Sequence, residues 1–579
     1  MVAYVALTWN GEPPAAVVAA RTALAEAGDW KVALEEAGRL LAVRGPVVPR
    51  VRRLPCGRGW VIGDLFRRSF RGGIGDEIES AVMSRRFSAE ATARELSDHY
   101  WGRYVAIIED LDPYGLSVFR DPSGAVEAMT WAAGGLTVVG SHLPDWLPDV
   151  AWPDLAIDWD QVRRWTISPS AVALASGLIG LASVTPGAWR RCGGPERQVW
   201  TPAAAAGRTA RPAAEAAASL PPLVDACVGA FAGEAGAILA EVSGGLDSAI
   251  VAASLARTSH GKVRQWLNYR AAEGQGDERA FAQDVATLWD FPLTEAIKPP
   301  FALDADLLEA AAGGFRPGFS ALDLLRDRDV ANRVAELGVD RVVTGQGGDM
   351  VFFQTPTPVV AVDHLRRAGL RGLASSYLLE VSRWTRQSVW RTMATALDSK
   401  AAWPGERTVA DHPWMADAGD LPPGKRSQIA VLAQKLTLNI ENLRARQAEI
   451  LHPLLAQPVV EHCLAVSAAD LTVGGRDRGL ARTAFAERLP ASIRERRAKG
   501  ELTAYYGRMV AASLAFLRPY LLEGRLAGEG LLDRERFAVM LTREQLIWRG
   551  DYAAIITAAT IEAWVRHWEA VAAGRRSQG

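Results

Sequence analysis

Residues 237–256 read AILAEVSGGLDSAIVAASLA, and the turn Ser243-Gly244-Gly245-Leu246-Asp247-Ser248 inside them decides how the chain is read. The apolar run AILAEV has the length of a strand, and AIVAASLA opens a buried helix. A glycine pair between strand and helix lets the backbone come close to an anion. The N–H groups of the turn and of the first helical turn then face that anion. Ser243 and Ser248 offer hydroxyl donors, and Asp247 puts a carboxylate where a Mg²⁺ bridging to phosphate would sit. The loop lacks the GK[ST] ending of a Walker loop, so kinase or ordinary ATPase chemistry is not the expectation. As packing alone, the same glycines would only relieve crowding between strand and helix.

A second stretch has the same character. Residues 341–349, RVVTGQGGD, are a short β-branched run entering a glycine-rich turn that ends in Asp349. Two strand ends in one parallel sheet, each followed by an Asp, suit two carboxylates sharing one Mg²⁺. Between them the sequence predicts a strand at 263–269 (VRQWLNY) and helices at 277–290 and 321–340. That is the alternation of a doubly wound sheet, where ligands bind outside the carboxyl ends of the strands. Asp277 and Glu278 read as capping and dipole compensation rather than as further metal ligands.

Composition sets bounds. A chain of 579 residues, 49% hydrophobic and 23% charged, has ordinary globular usage and room for several domains. Lys+Arg of 65 against Asp+Glu of 66 leaves a net charge of −1, which gives no support for nucleic acid or anionic membrane as main partner. Cys56, Cys192, Cys227 and Cys463 show no CxxC or metal-type spacing, so reduced thiols are expected. The N-terminal MVAYVALTWNGEPP lacks a basic flank and a long apolar core. The apolar run at 171–184 is too short and too rich in small residues to span a bilayer. A cytoplasmic protein without membrane or nucleic-acid partner is the expectation.

The chain divides near residue 205. Residues 201–222 (TPAAAAGRTARPAAEAAASLPP) read as an Ala/Pro-rich linker leading into a helix. Before it, strands are expected at 4–9, 58–66, 104–110, 116–121 and 128–140, with helices at 15–28 and 89–101, an α+β or sandwich-like pattern. After it comes the α/β sheet, and beyond about 360 the pattern is almost wholly helical. No repeat of 20–50 residues is visible.

These stretches together resemble the asparagine synthetase family. SGGLDS matches the SGGxDS loop of PP-loop ATP pyrophosphatases, which cleave ATP between the α and β phosphates. VVTGQGGDMVF (342–352) is similar to the family's second loop. YWGRYVAIIED with VFRDPSGAVEAMTW, and GLIGLASVTPGAWRR, resemble segments of its glutaminase domain. HPLLAQPVVEHCLAVS (452–467) and RDRGLARTAFAERLPASIRERRAKG (476–500) resemble its closing runs. The resemblance implies an Ntn-glutaminase-like α+β sandwich domain over residues 1–205. A PP-loop α/β synthetase domain with a helical C-terminal part would follow over 206–579. It also implies an ATP contact set of Val242, Ser243, Gly244, Gly245, Leu246, Asp247, Ser248, Leu267, Gly345 and Gln346, with Mg²⁺ on Asp247 and Asp349. Lys499 matches the catalytic lysine, with the basic run Arg494, Arg496 and Arg497 beside it. Glu380 is a candidate carboxylate partner by its spacing after the second loop, against the plainer reading of an exposed helix residue.

The departures narrow the expectation. The chain begins Met1-Val2-Ala3 and has no cysteine before Cys56, so no glutamine thioester, and hence no ammonia release, is expected of the first domain. Gln346 stands where family members carry an acid, or a Tyr in the β-lactam synthetases; it can orient a group but cannot act as base. The closing runs are most similar to lasso peptide cyclases. That likeness implies adenylation of an Asp or Glu side chain in a core peptide, followed by attack of its N-terminal amine to close a macrolactam. AMP and pyrophosphate would leave. An α-amine with pKa of about 7.7–8.0 is already partly neutral near pH 7, so a strong base is less needed. The partners implied are the precursor core peptide, a leader-binding protein and a leader protease. Amide synthesis on a small molecule, or a silent nucleotide-binding scaffold, are the alternatives. Trp384, Trp390, Trp403 and Trp414 could grip a peptide, although most tryptophans pack in cores.

Overall fold

The protein is described here by a computed structural model. The structure describes residues 2–45, 50–68, 88–110, 115–173, 175–208, 211–270, 277–298, 302–318, 323–398, 400–497, 503–549 and 551–576. The two glycine turns belong to a five-stranded sheet of β1 (Ile238–Glu241), β2 (Val263–Arg270), β3 (Leu293–Ile297), β4 (Arg341–Val343) and β5 (Glu449–Leu451). Strand order is β3-β2-β1-β4-β5 and every pairing is parallel. The chain moves outward from β1 to β3, then crosses back to lay β4 on the other flank of β1. The carboxyl ends of β1 and β4 therefore meet at the point where the winding reverses. Residues of β1 and β4 are buried throughout, as expected for a parallel sheet covered on both faces.

Helices cover it: α1 (Ala213–Gly233), α2 (Leu246–Ser259), α3 (Arg279–Trp289) and α4 (Leu324–Leu337). Residues 201–222, expected as linker, are mostly helix. Thr201 caps a short helix at Pro202–Ala206, and 213–222 form the first half of α1. Alanine has the best helix propensity, and Ala203, Ala205, Ala216 and Leu220 are buried, so packing fixes what composition made look loose. Helix α1 is also long and apolar enough to cross a bilayer. Its buried face, with Val224, Cys227, Val228 and Phe231, lies in the core beside α2. Beyond β4 follow α5 (Gly348–Val351), α6 (Val360–Ala368), α7 (Ser376–Thr385), α8 (Val389–Leu397), α9 (Pro423–Gln434), α10 (Gln457–Leu464), α11 (Gly479–Ala484) and α12 (Tyr552–Arg576).

The N-terminal region is strand-rich. One antiparallel sheet orders its strands 182–183, 129–133, 136–140, 3–8, 39–44 and 31–36. The other orders them 196–198, 188–191, 116–120, 100–109, 59–67 and 51–53. The hairpin 31–44 was not expected, because its outer strand KVALEE keeps only one weak apolar face. The helix expected to reach residue 101 ends at His99, and Tyr100 starts a ten-residue strand buried along nearly all its length.

This region is joined to the parallel sheet by buried charge. Arg341, at the head of β4, donates to Asp64 at 2.9 Å and also pairs with Glu449 of β5; Arg103 reaches Glu449 at 3.0 Å. Burial alone would raise the Asp64 carboxyl, but Arg341 and Arg103 hold it below its ordinary value. At the other end Trp165 meets Trp564 of α12 edge to face at 5.1 Å. All four cysteines are free thiols.

Candidate active site

The first loop leaves β1 under tight control. Val242 donates its N–H to Leu267 O at 2.8 Å and accepts from Asn268 Nδ2 at 2.6 Å. These bonds fix Val242 and Leu267 side by side at the carboxyl edge, with both side chains in the core. Gly244 has φ +76°, and a Cβ there would lie 2.6 Å from Glu278 O. Gly245 then caps α2 without any side-chain bond. Gly245 itself puts no side-chain acceptor in front of the first N–H groups of this fourteen-residue helix, which is the arrangement that receives phosphate. The two hydroxyls, expected as donors, bond to each other and to the loop, Ser243 exposed and Ser248 buried. Ser248 Oγ accepts from Ser243 N at 3.1 Å, donates to Gly245 O at 3.0 Å and lies 2.9 Å from Ser243 Oγ. Both hydroxyls shape the loop in this state, because short side chains beside free backbone groups bond locally first.

The second loop interlocks with the first. A Cβ on Gly345 would sit 2.3 Å from Ser248 N, and one on Gly348 would sit 2.7 Å from Asp247 Cβ and Cγ. Only glycine allows that approach. Gly347, at φ +97°, caps α5, and Asp349 lies in that helix's first turn, half-buried. Thr344 Oγ1 accepts from Gln346 N at 3.1 Å and is 2.8 Å from His452 Nδ1, so the half-buried Gln346 leaves from a fixed turn. Burial, with Arg444 and Arg103 nearby, pushes His452 down to about 3 and keeps it neutral.

The asparagine synthase family matches residues 224–566, from within α1 to within α12, more than half of the chain. The chain belongs to this family. No curated protein matches it. Membership carries ATP-dependent amide-bond formation, and with it ligase and ATP-binding chemistry.

Within the synthase region a third wall closes the site, and the sequence reading missed it. Residues 473–479 form a tight turn: a Cβ on Gly479 would lie 2.1 Å from Val473 O, and one on Gly475 would lie 2.1 Å from Glu380 Cβ. The turn holds Arg478 at φ +54° and binds its N–H to Phe353 O at 3.0 Å. Arg478 then pairs with Asp247 at 2.7 Å and with Asp477 at 2.7 Å. Arg496 adds a second cation, bonded to Gly244 O at 3.1 Å and to Glu278 at 2.6 Å. The runs RDRGLAR and RRAKG carry both arginines; Lys499, expected as the catalytic lysine, lies outside the described residues.

Other expected residues take plainer places. Asp277 accepts from Arg279 N at 3.0 Å and pairs with the same side chain, the capping role. Glu380 sits on α7 behind the 473–479 turn, and its carboxylate makes no hydrogen bond or ion pair among the described residues. Trp414 is buried, edge to face with Trp200 at 5.4 Å, while Trp384 and Trp403 are half-buried; of the four only Trp390 is open to solvent.

Among the described residues no three His, Cys, Asp or Glu side chains come together as a metal cage. A pair of carboxylates is a donor set that suits Mg²⁺, which is held by one or two carboxylates while phosphate and water complete its shell. Asp247 and Asp349 are the residues that would hold it, and the interlocked glycines give their loops a common edge.

Proposed function

We propose that the chain is an AMP-forming ligase that activates a peptide carboxyl and closes a macrolactam on the peptide's own N-terminal amine. The observation that carries the ligase part is the interlocking of the two loops, which brings the Asp247 and Asp349 turns to one edge over an uncapped helix. The uncapped N–H groups of α2 and the backbone of residues 243–246 receive the triphosphate. Bound Mg²⁺ would neutralise charge on the β and γ phosphates. Arg478 and Arg496 add fixed positive charge facing the first loop, so pyrophosphate leaves against cations already in place. The substrate carboxylate oxygen attacks the α phosphorus, the bond to the β phosphate breaks, and the acyl-adenylate forms. The amine then attacks the acyl carbon, loses a proton and expels AMP. Gln346, held by Thr344, orients a reacting group by hydrogen bonds, and Lys499 supplies the cation for the oxyanion. Glu380 enters only as a group behind the turn.

The peptide part is supported by the closing runs and by Gln346 in place of an acidic residue. Absence of glutaminase activity is supported by the thiols. Cys227 and Cys463 are buried in the core of the synthase region, burial pushes Cys192 up to about 12, and Cys56 sits in an exposed turn. The proposed division is 1–205 and 206–579. The test is incubation with ATP, Mg²⁺ and linear peptides bearing an internal Asp or Glu. AMP together with a product one water lighter is the expected result. AMP with a small acid and amine but with no peptide would overturn the peptide part. No AMP with any substrate would overturn the ligase assignment. Lys499→Ala is expected to lose most turnover and keep ATP binding.

A further inference from the structure

We propose that the outer faces of α7 and α8 are a docking surface for an acidic segment of the peptide substrate that also carries apolar side chains. The proposal rests on the peptide reading above.

The two helices bury one side and leave the other open. Tyr377, Leu378, Val381 and Ser382 of α7 and Thr392 and Ala396 of α8 are buried, with Ser382 Oγ bonded to Thr392 Oγ1 at 2.9 Å. On the opposite side Leu379 and Arg383 lie one helical turn apart with Arg386 capping the helix just beyond, and Trp390, Ala394 and Leu397 follow one another a turn apart along α8. All six are exposed. Trp390 is 75% exposed and Leu397 57%, against a core in which the chain's other large rings are mostly buried. An open tryptophan beside open leucines is the kind of anchor that interfaces bury.

Charge says what covers it. Arg383, Arg386 and Arg391 lie on this surface, with Arg371 close in sequence, and none of the four is ion-paired among the described residues. Some exposed arginines elsewhere are paired, Arg94 with Glu90 and Arg163 with Asp160, and others, such as Arg164, Arg264 and Arg328, make no ion pair among the described residues; what sets this face apart is that its arginines stand beside the exposed Leu379, Trp390 and Leu397. Arg386 even holds a left-handed cap at φ +54°, a conformation that glycine adopts at less cost. A cationic surface in a chain of net charge −1 is a local device for an acidic partner.

Position favours a peptide over a membrane or nucleic acid. The middle of α7 is in contact, at Glu380, with Gly475, and the same turn delivers Arg478 to Asp247. A peptide lying across α7 is therefore one loop away from the nucleotide edge, whereas a bilayer on that face would have no route to it.

The probes are a fluorescein-labelled peptide of alternating Glu and Leu, its Lys/Leu counterpart, and phosphatidylserine vesicles, each titrated against the full chain without ATP. The expected result is binding of the Glu/Leu peptide that weakens with salt, weakens about tenfold or more in R383E/R386E/R391E, and weakens also in W390A. A control carrying R94E/R163E/R197E should bind like the wild type. In turnover the triple variant should raise peptide KM and leave kcat and ATP binding in place, which a folding defect would not do. Equal affinity in wild type and triple variant, no preference for Glu/Leu over Lys/Leu, or Arg383-dependent vesicle binding without peptide binding would each overturn the docking surface. D247A separates the two readings: it should keep peptide binding while losing AMP.

Discussion

The seam between the N-terminal sandwich and the parallel sheet, and the nucleotide edge of that sheet, use polar groups in opposite ways. At the seam, Asp64, Arg103, Arg341 and Glu449 are all buried and pair with one another. At the edge, the serine hydroxyls close on each other, Asp247 is shared with Arg478, and the start of α2 has no side-chain cap. Seam groups have no better partner than the ones they hold. Edge groups hold provisional partners that a triphosphate can replace. Strain follows the same division: Phe353 and Arg478, both non-glycine residues with positive φ, flank the edge. Closed networks fix shape, and partly engaged polar groups around a strained turn mark where a ligand enters.

The comparison breaks first at the edge. On the proposed reading Asp247→Ala and Asp349→Ala should each lower AMP formation by about a hundredfold or more, because each removes a carboxylate that would hold Mg²⁺ against the phosphates. The thermal midpoint of each should move little, since Arg478 keeps Asp477 when Asp247 is removed and Asp349 is half-buried. A loss of stability equal to the loss of activity would erase the distinction between edge and seam.

At the seam the expectation reverses. Arg341→Ala leaves the buried Asp64 and Glu449 to share Arg103 alone and should cost about 3–5 kcal/mol of stability, read by urea unfolding. Protein that stays folded should still make AMP. A third variant lies between: Arg478→Gln should raise the KM for ATP about tenfold, the worth of one charge-assisted contact. Its unfolding midpoint should move less than that of Arg341→Ala.

Much of the edge was legible because its determinants are local. Strands β1 and β4 are short apolar runs ending in glycine turns, and a parallel sheet buried on both faces writes such runs without alternation. Asp247 and Asp349 follow those turns within a few residues. Arg478 was not legible as a site residue, since its partner is 231 residues away and the turn that delivers it depends on contacts with α7. The seam was invisible for the same reason: Arg341 and Asp64 are 277 residues apart, and each alone reads as a surface charge. The linker was misread because small residues look alike whether they float or pack. Composition cannot report which alanines face a core, and Ala203, Ala205 and Ala216 do.

The smallest effect sharpens the comparison through pH. His452 touches the second loop through Thr344, and burial with nearby Arg444 and Arg103 pushes it down to about 3. An unfolded histidine titrates near pH 6.5, so between about 6.5 and 3 the unfolded chain takes up a proton that the folded chain refuses. Its contribution to stability is complete above that window and is lost as pH falls through it. Asp121, in the N-terminal sandwich, has the opposite sign. Burial raises it to about 6 despite bonds from Ser123 and Tyr104. Between about 4 and 6 the folded chain holds the extra proton, and stability falls as pH rises. His452→Gln should therefore flatten the acid-side slope of unfolding free energy against pH, and Asp121→Asn should steepen it. The slope is the readout, because each substitution also shifts absolute stability through the hydrogen bonds it alters. Slopes that move in the same direction in both variants would show that the two regions do not titrate as their surroundings require.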